Sequence, residues 1–220
     1  YDIPNNGERV RALRRVWALG IFLAVVLGFA AAAADLLSGY VCWSVDRPLT
    51  WGDFRATPPS WAEPANSAAQ IHLTLSWSAS IGAHAVGSVA TATVTAFTVV
   101  NAMDPALSWK SPLATLANLR HEQFHFNLHE VYRRLAEMTL APLTMTYQAV
   151  TPNASAQDTA DACEKALNDL LLATWDTIDA RAKAALAAYD SETRHGLDAE
   201  AQATWETRIT SLLADPAAAP

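Results

Sequence analysis

The residues best suited to chemistry form one short string, His121-Glu122-Gln123-Phe124-His125. On an α-helix, residues four apart share one face, so both imidazoles can bind a single ion. Glu122 lies beside them and can accept a proton from metal-bound water, the arrangement of a zinc peptidase. Chance produces such a string in roughly 0.7 % of chains of this composition. An amphipathic helix with two unliganded histidines is the alternative.

A helix is predicted around this string. Apolar residues recur at helical spacing between Ser111 and Leu140. The predicted helix ends before Pro142, and two more helices are predicted from Ser155 towards Tyr189 and from Asp198 to Leu213.

Strands are predicted only upstream of the helices. Polar and apolar residues alternate from Gln70 to Trp77 and from Val89 to Val100, with glycines at 82 and 87 marking a turn. This alternation predicts a small antiparallel sheet with one polar and one apolar face. After Pro105 no return to strand is expected. Because the sheet precedes the helices, the predicted class is α+β.

The N-terminal segment resembles an export signal. Four arginines precede the apolar run Val16 to Ala34, which ends in alanines. We expect residues 1–34 to be a signal peptide cleaved near Ala34, with an uncleaved membrane anchor as the alternative. The domain then covers 35–214, residues 215–220 form a disordered tail, and the protein is secreted, periplasmic or held in the cell envelope.

The charge balance and the two cysteines restrict the possible functions further. Without residues 1–34, 11 basic and 20 acidic residues remain, with no Lys/Arg cluster that would follow a phosphate backbone. This argues against nucleic-acid binding, and membrane contact is expected only through the N-terminal segment. After export, Cys42 and Cys163 are allowed to form a disulfide, and two unpaired cysteines are the alternative.

A catalytic zinc site usually needs a third protein ligand. His129 lies about 12 Å along the helix axis from His121, and Glu130 faces away from it. Both are therefore assigned to the solvated face or to a supporting position behind the ligands. The segment from Tyr189 to Gly196 offers a tyrosine, two acids and a histidine, although helix capping also explains such a composition.

Several blocks resemble a bacterial family of predicted secreted zinc-dependent proteases, a family of unknown function. In order, they are Leu49-Thr50-Trp51-Gly52-Asp53-Phe54, Ser108-Trp109-Lys110, His121-Glu122-Gln123-Phe124-His125-Phe126, Tyr189-Asp190 with Thr193 and His195-Gly196, and Gln202 with Trp205. They span about Leu49 to Leu213, and the tyrosine-containing block is more discriminating than the zinc motif. The resemblance implies a zincin-like metallopeptidase.

We therefore expect Zn²⁺ to be held by His121, His125 and His195, with Asp190 as the runner-up for the third position. Glu122 acts as the base, and Tyr189 or His129 donates to the developing oxyanion. The expected substrate is a peptide or protein.

Two other readings stay open. One is a non-catalytic secreted module with a closed four-ligand zinc site. The other is an envelope interaction protein without metal, whose eight tryptophans serve an interface.

Overall fold

The computed structural model describes residues 38–62, 68–151 and 154–220. It has the predicted α+β class, with an antiparallel sheet and three helices. The expected signal or anchor at residues 1–34 lies outside the described residues. Among the described helices, none combines the length and hydropathy needed to cross a membrane.

The sheet is built around one central strand. Its strands are β1 (Val41–Cys42), β3 (Leu73–Val86), β4 (Val89–Met103) and β6 (Thr144–Gln148), while β2 (Ala69–Gln70) and β5 (Trp109–Lys110) form a separate pair. β4 pairs antiparallel with β3 and also with β1 and β6. The β3–β4 hairpin turns at Gly87, whose φ of 61° favours glycine. Both long strands continue beyond their predicted ends at Trp77 and Val100, and Gly82, which was expected in the turn, lies within β3.

Three helices follow, with boundaries set by capping side chains. They are α1 (Leu116–Leu140), α2 (Ala156–Thr193) and α3 (Ala199–Ala214). Thr115 and Asn118 cap each other reciprocally at the start of α1. Ser155 and Asp198 accept backbone hydrogen bonds at the starts of α2 and α3, which confirms both predicted starts.

Strands β5 and β6 both follow Pro105, where no strand was predicted, and β6 changes where α2 lies. Strand β6 pairs with β4 after the end of α1, so the chain travels away from α1 before α2 begins. The early turns of α2 follow β6, where the Cys163 thiol contacts the Met145 carbonyl at 3.5 Å. Because the early turns lie beside β6, it is the later part of this 38-residue helix that runs along α1. The C-terminal end of α2 therefore reaches the histidine string.

The main core lies between the apolar face of the sheet and the three helices. Leu128, Tyr132, Leu167 and Ile209 are fully buried there. Cys163 is buried in the same core, Cys42 is exposed on β1, and both are free thiols, so the allowed disulfide is not formed.

The C-terminal residues differ from the expected disordered tail. Pro216–Ala218 form a 3₁₀ turn, and Ala219 is buried. The Tyr132 hydroxyl donates to the Pro220 carbonyl at 3.2 Å, and the Arg181 guanidinium donates to the same oxygen at 2.8 Å. These contacts dock the tail against α1 and α2.

Candidate metal centre

Hydrogen bonds from the start of the domain fix the rotation of α1 about its own axis. The Gln123 side-chain oxygen accepts a hydrogen bond from the Leu49 backbone N–H at 2.7 Å. One turn later, the Asn127 side-chain oxygen accepts from the Trp43 indole at 2.9 Å. Residues 123 and 127 lie about 200° around the helix from 121 and 125. Anchoring them therefore turns the two histidines towards α2.

Three ligand atoms converge where α1 meets the end of α2. The Nε2 atoms of His121 and His125 are 3.1 Å apart. Oδ1 of Asp190 lies 3.1 Å from the first and 2.8 Å from the second. Zinc bonds of about 2.0–2.1 Å at tetrahedral angles place neighbouring ligand atoms roughly 3.3 Å apart. The three groups therefore fit one zinc ion.

His195 lies at the same centre, on its open side. It follows Arg194 in a turn where both residues have left-handed φ angles, 52° and 56°. Its Nδ1 is 3.4 Å from Asp190 Oδ1, and its side chain is 78 % exposed. The ligand atoms of His121, Asp190 and His195 all lie within 4.8 Å of one another. The structure thus brings together both candidates for the third ligand.

His121 and Asp190 shift one another's pKa values. Burial acts to raise the pKa of Asp190, but its hydrogen bonds with His121 and His125 outweigh this and leave the pKa well below its ordinary value. Burial acts to lower the pKa of His121, yet Asp190, Glu122 and Gln202 together raise it. The centre therefore favours a negative carboxylate beside positive charge.

Glu122 lies beside the centre in a largely dry position. Its Oε2 accepts a hydrogen bond from the Ile71 backbone N–H at 3.1 Å. Among the described residues no donor contacts Oε1, so the lone pairs of this oxygen stay available. Burial raises the pKa of Glu122, although charge on His125 and His121 opposes the rise. One oxygen is held and the other is free to take a proton.

Tyr189 lies beneath His121 rather than facing solvent. Its side chain is fully buried, and its ring stacks on the His121 ring with centroids 4.6 Å apart. Its hydroxyl donates to the His121 backbone carbonyl at 3.2 Å and accepts from Gln202 Nε2 at 2.6 Å. Burial raises the pKa of this hydroxyl. The geometry favours a supporting role for Tyr189 over contact with an oxyanion.

His129 and Glu130 are buried, not on a solvated face. His129 Nδ1 lies 3.0 Å from Asn101 Oδ1, while the Asn101 amide nitrogen donates to the Phe126 carbonyl. The Asn101 oxygen is therefore an acceptor, and His129 carries its proton on Nδ1. Burial lowers the pKa of His129 to about 4. Its Nε2 has no proton at neutral pH, so His129 has nothing to donate to an oxyanion.

Sequence reasoning assigned no chemistry to Gln202, although this residue touches the centre. Its side-chain oxygen lies 3.1 Å from His121 Nδ1. The contact joins residues 81 positions apart on different helices, and no local pattern signals it. The only signal was the presence of Gln202 in the family-like blocks.

Comparison with protein-family models, with curated proteins and with solved structures finds no match to this chain.

Proposed function

We propose that this protein is a zinc-dependent peptidase of the zincin type, exported through its N-terminal segment. The observation that carries the proposal is the convergence of three ligand atoms beside Glu122. His121 Nε2, His125 Nε2 and Asp190 Oδ1 approach one another to 2.8–3.1 Å. A carboxylate oxygen only accepts hydrogen bonds, and a neutral imidazole has one donor nitrogen. A divalent cation satisfies all three atoms at once.

Asp190 is the better third ligand in this arrangement. Asp190 contacts both motif histidines, whereas the one ion-pair contact of His195 among the described residues is with Asp190, and its side chain is mostly exposed. We therefore place Asp190 in the position first assigned to His195. With three protein ligands, a coordination position stays open for water or substrate.

The ion and Glu122 would carry out different parts of the hydrolysis. Bound zinc supplies Lewis acidity and lowers the pKa of its water to about 7. Glu122 Oε1 accepts the proton of the attacking water as the new C–O bond forms. It then returns that proton to the leaving amine nitrogen as the C–N bond breaks. The Ile71 N–H on Oε2 keeps the carboxylate oriented through both transfers.

The position of strand β3 supports a peptide as the substrate. Among the described strands β3 pairs only with β4, so the other edge of β3 has no strand partner. β3 begins two residues after Ile71, whose N–H contacts Glu122. An extended peptide added to this edge passes beside the base.

A non-catalytic zinc-binding module is the second candidate, and His195 favours it. If its ring bound the same ion, four protein ligands would close the site. No single observation favours the metal-free interaction protein, although its exposed Trp61 would be available to a partner.

The decisive experiment pairs metal content with hydrolysis. Purified protein should contain about one zinc per chain by elemental analysis and should cleave a broad peptide library. Glu122→Gln should keep the zinc and lose at least about 100-fold in kcat, because the ligands remain while the base is gone. Glu137→Gln, on an exposed part of the same helix, is the matched control. If the wild type contains zinc but does not hydrolyse peptides, the binding module is supported. If it contains no zinc, both the peptidase and the zinc-binding module are refuted.

A further inference from the structure

A buried amide on α3 lies directly behind the first histidine of the motif. Gln202 Oε1 is 3.1 Å from His121 Nδ1, the ring nitrogen that points away from Asp190. Which end of this amide faces His121 decides which ring nitrogen carries the proton. The orientation follows from the groups around the amide.

Two acceptors hold the amide nitrogen on the far side. The first is Glu206, whose Oε1 accepts from Gln202 Nε2 at 3.0 Å. A carboxylate has no proton to give, so only the NH₂ end of the amide suits it. Glu206 is itself buried and is paired with the Arg120 guanidinium, which supports its negative charge.

The second acceptor is the Tyr189 hydroxyl, 2.6 Å from the same amide nitrogen. This hydroxyl gives its only proton to the His121 backbone carbonyl, so it accepts from Gln202. Both protons of the amide are thus used, one on Glu206 and one on Tyr189. The amide oxygen must face His121.

We infer that Gln202, oriented by Glu206 and Tyr189, is the positioning residue that keeps the His121 proton on Nδ1 and leaves the Nε2 lone pair free for the metal. An imidazole binds an ion only through an unprotonated nitrogen, and partners on its other nitrogen tune affinity by about 10–100-fold. The inference rests on the proposed metal centre, but it concerns residues of α3 that do not touch the ion.

Gln202 also explains how α3 contributes to a centre formed by α1 and α2. The Tyr189 ring stacks on His121 and packs edge-on against Trp205, one turn from Gln202. The stack fixes the plane of the His121 ring, while the amide fixes its protonation. Together they define the direction of the Nε2 lone pair.

The test compares zinc affinity across substitutions at position 202 in the full chain. Gln202→Leu removes the acceptor at similar size and should weaken zinc binding about 10–100-fold in a chelator competition assay. The double variant Gln202→Glu with Glu206→Gln exchanges the carboxylate and the amide, so an oxygen stays opposite Nδ1 without two carboxylates in contact, and it should bind zinc at least as tightly as the wild type. Thr207→Val, on the exposed side of α3, is the control and should match the wild type.

A spectroscopic readout separates positioning from general damage. In zinc-loaded protein with ¹⁵N-labelled histidine, the His121 Nδ1–H proton signal reports its hydrogen bond. It should move upfield in Gln202→Leu and downfield in the double variant Gln202→Glu with Glu206→Gln, because a carboxylate is the stronger acceptor. Loss of packing alone does not produce this graded order.

The outcomes distinguish the two proposals. If the wild type binds no zinc, the proposed function fails. If the wild type binds zinc while Gln202→Leu has the same affinity and the same Nδ1–H signal, only the role of Gln202 is refuted. Should Gln202→Leu not fold, Gln202→Met gives the second test. Its unbranched side chain keeps the length of glutamine but ends in a thioether, which is only a weak acceptor, so zinc affinity should fall, and unchanged affinity and signal would overturn the inference.

Discussion

Gly196 lies directly against the ring of His121. A Cβ atom built on Gly196 would come within 3.0 Å of the His121 Cβ and 3.1 Å of its Cγ. Gly196 also has a φ of 79°, which favours glycine on conformational grounds. The turn after α2 therefore packs onto the first motif histidine only because residue 196 lacks a side chain.

Gly196→Ala should consequently disturb both folding and metal binding. The positive φ alone costs about 1–2 kcal/mol in unfolding free energy, and the new methyl group must also displace the His121 side chain. Gly87→Ala is the matched control, because Gly87 has a φ of 61° and open space around its Cβ position. Urea denaturation should show a loss for both variants, whereas zinc affinity should fall only in Gly196→Ala. Equal zinc affinities would show that the contact does not position His121.

Asp190 and His195 should differ as metal ligands. Asp190 contacts both motif histidines, so Asp190→Ala should weaken zinc binding at least about 100-fold, since one of three ligands is lost. His195→Ala should cost about tenfold or less, consistent with an outer contact to Asp190. Titration calorimetry or chelator competition measures both. The reverse order would restore His195 as the third ligand.

Glu122→Gln should make the metal-free protein more stable at neutral pH. Because burial raises the pKa of Glu122, the folded state binds its proton more tightly than the unfolded state. The stability contributed by this group is therefore greatest at low pH and is lost as pH rises above its ordinary value of about 4.5. The advantage of the variant, measured by urea denaturation with a chelator present, should grow with pH. An advantage that shrinks with pH would contradict the raised pKa.

His129 should contribute an acid-sensitive part of the stability. Its pKa is lowered to about 4 by burial, so between about pH 6.5 and pH 4 the unfolded chain takes up a proton that the folded protein does not. Stability should fall through this window as pH falls, by an amount on the order of 3 kcal/mol. NMR titration of the His129 ring gives the pKa, and His129→Gln should flatten this part of the stability profile. A His129 ring that titrates near pH 6.5 would refute the assignment.

The elements that depend on local sequence were largely predictable. The helix carrying His121 and His125, the Ser155 and Asp198 helix starts and the alternating strands follow from side-chain periodicity and capping within a few residues. Short β6 was missed, because five residues after a helix carry little periodic signal. Without β6, no local pattern explains why the end of α2, rather than its middle, lies against His121.

The same distinction between local sequence and tertiary structure applies to the site. The sequence by itself determined that two imidazoles and a carboxylate share one stretch of helix, because the helical repeat relates residues within a turn whatever surrounds them. Only the tertiary structure decided that Asp190 faces both histidines, that Tyr189 lies beneath them and that Gln202 holds the outer nitrogen of His121. Those contacts join residues 65–81 positions apart. They depend on the length of α2, the detour through β6 and the glycine turn at 196, which no local pattern encodes.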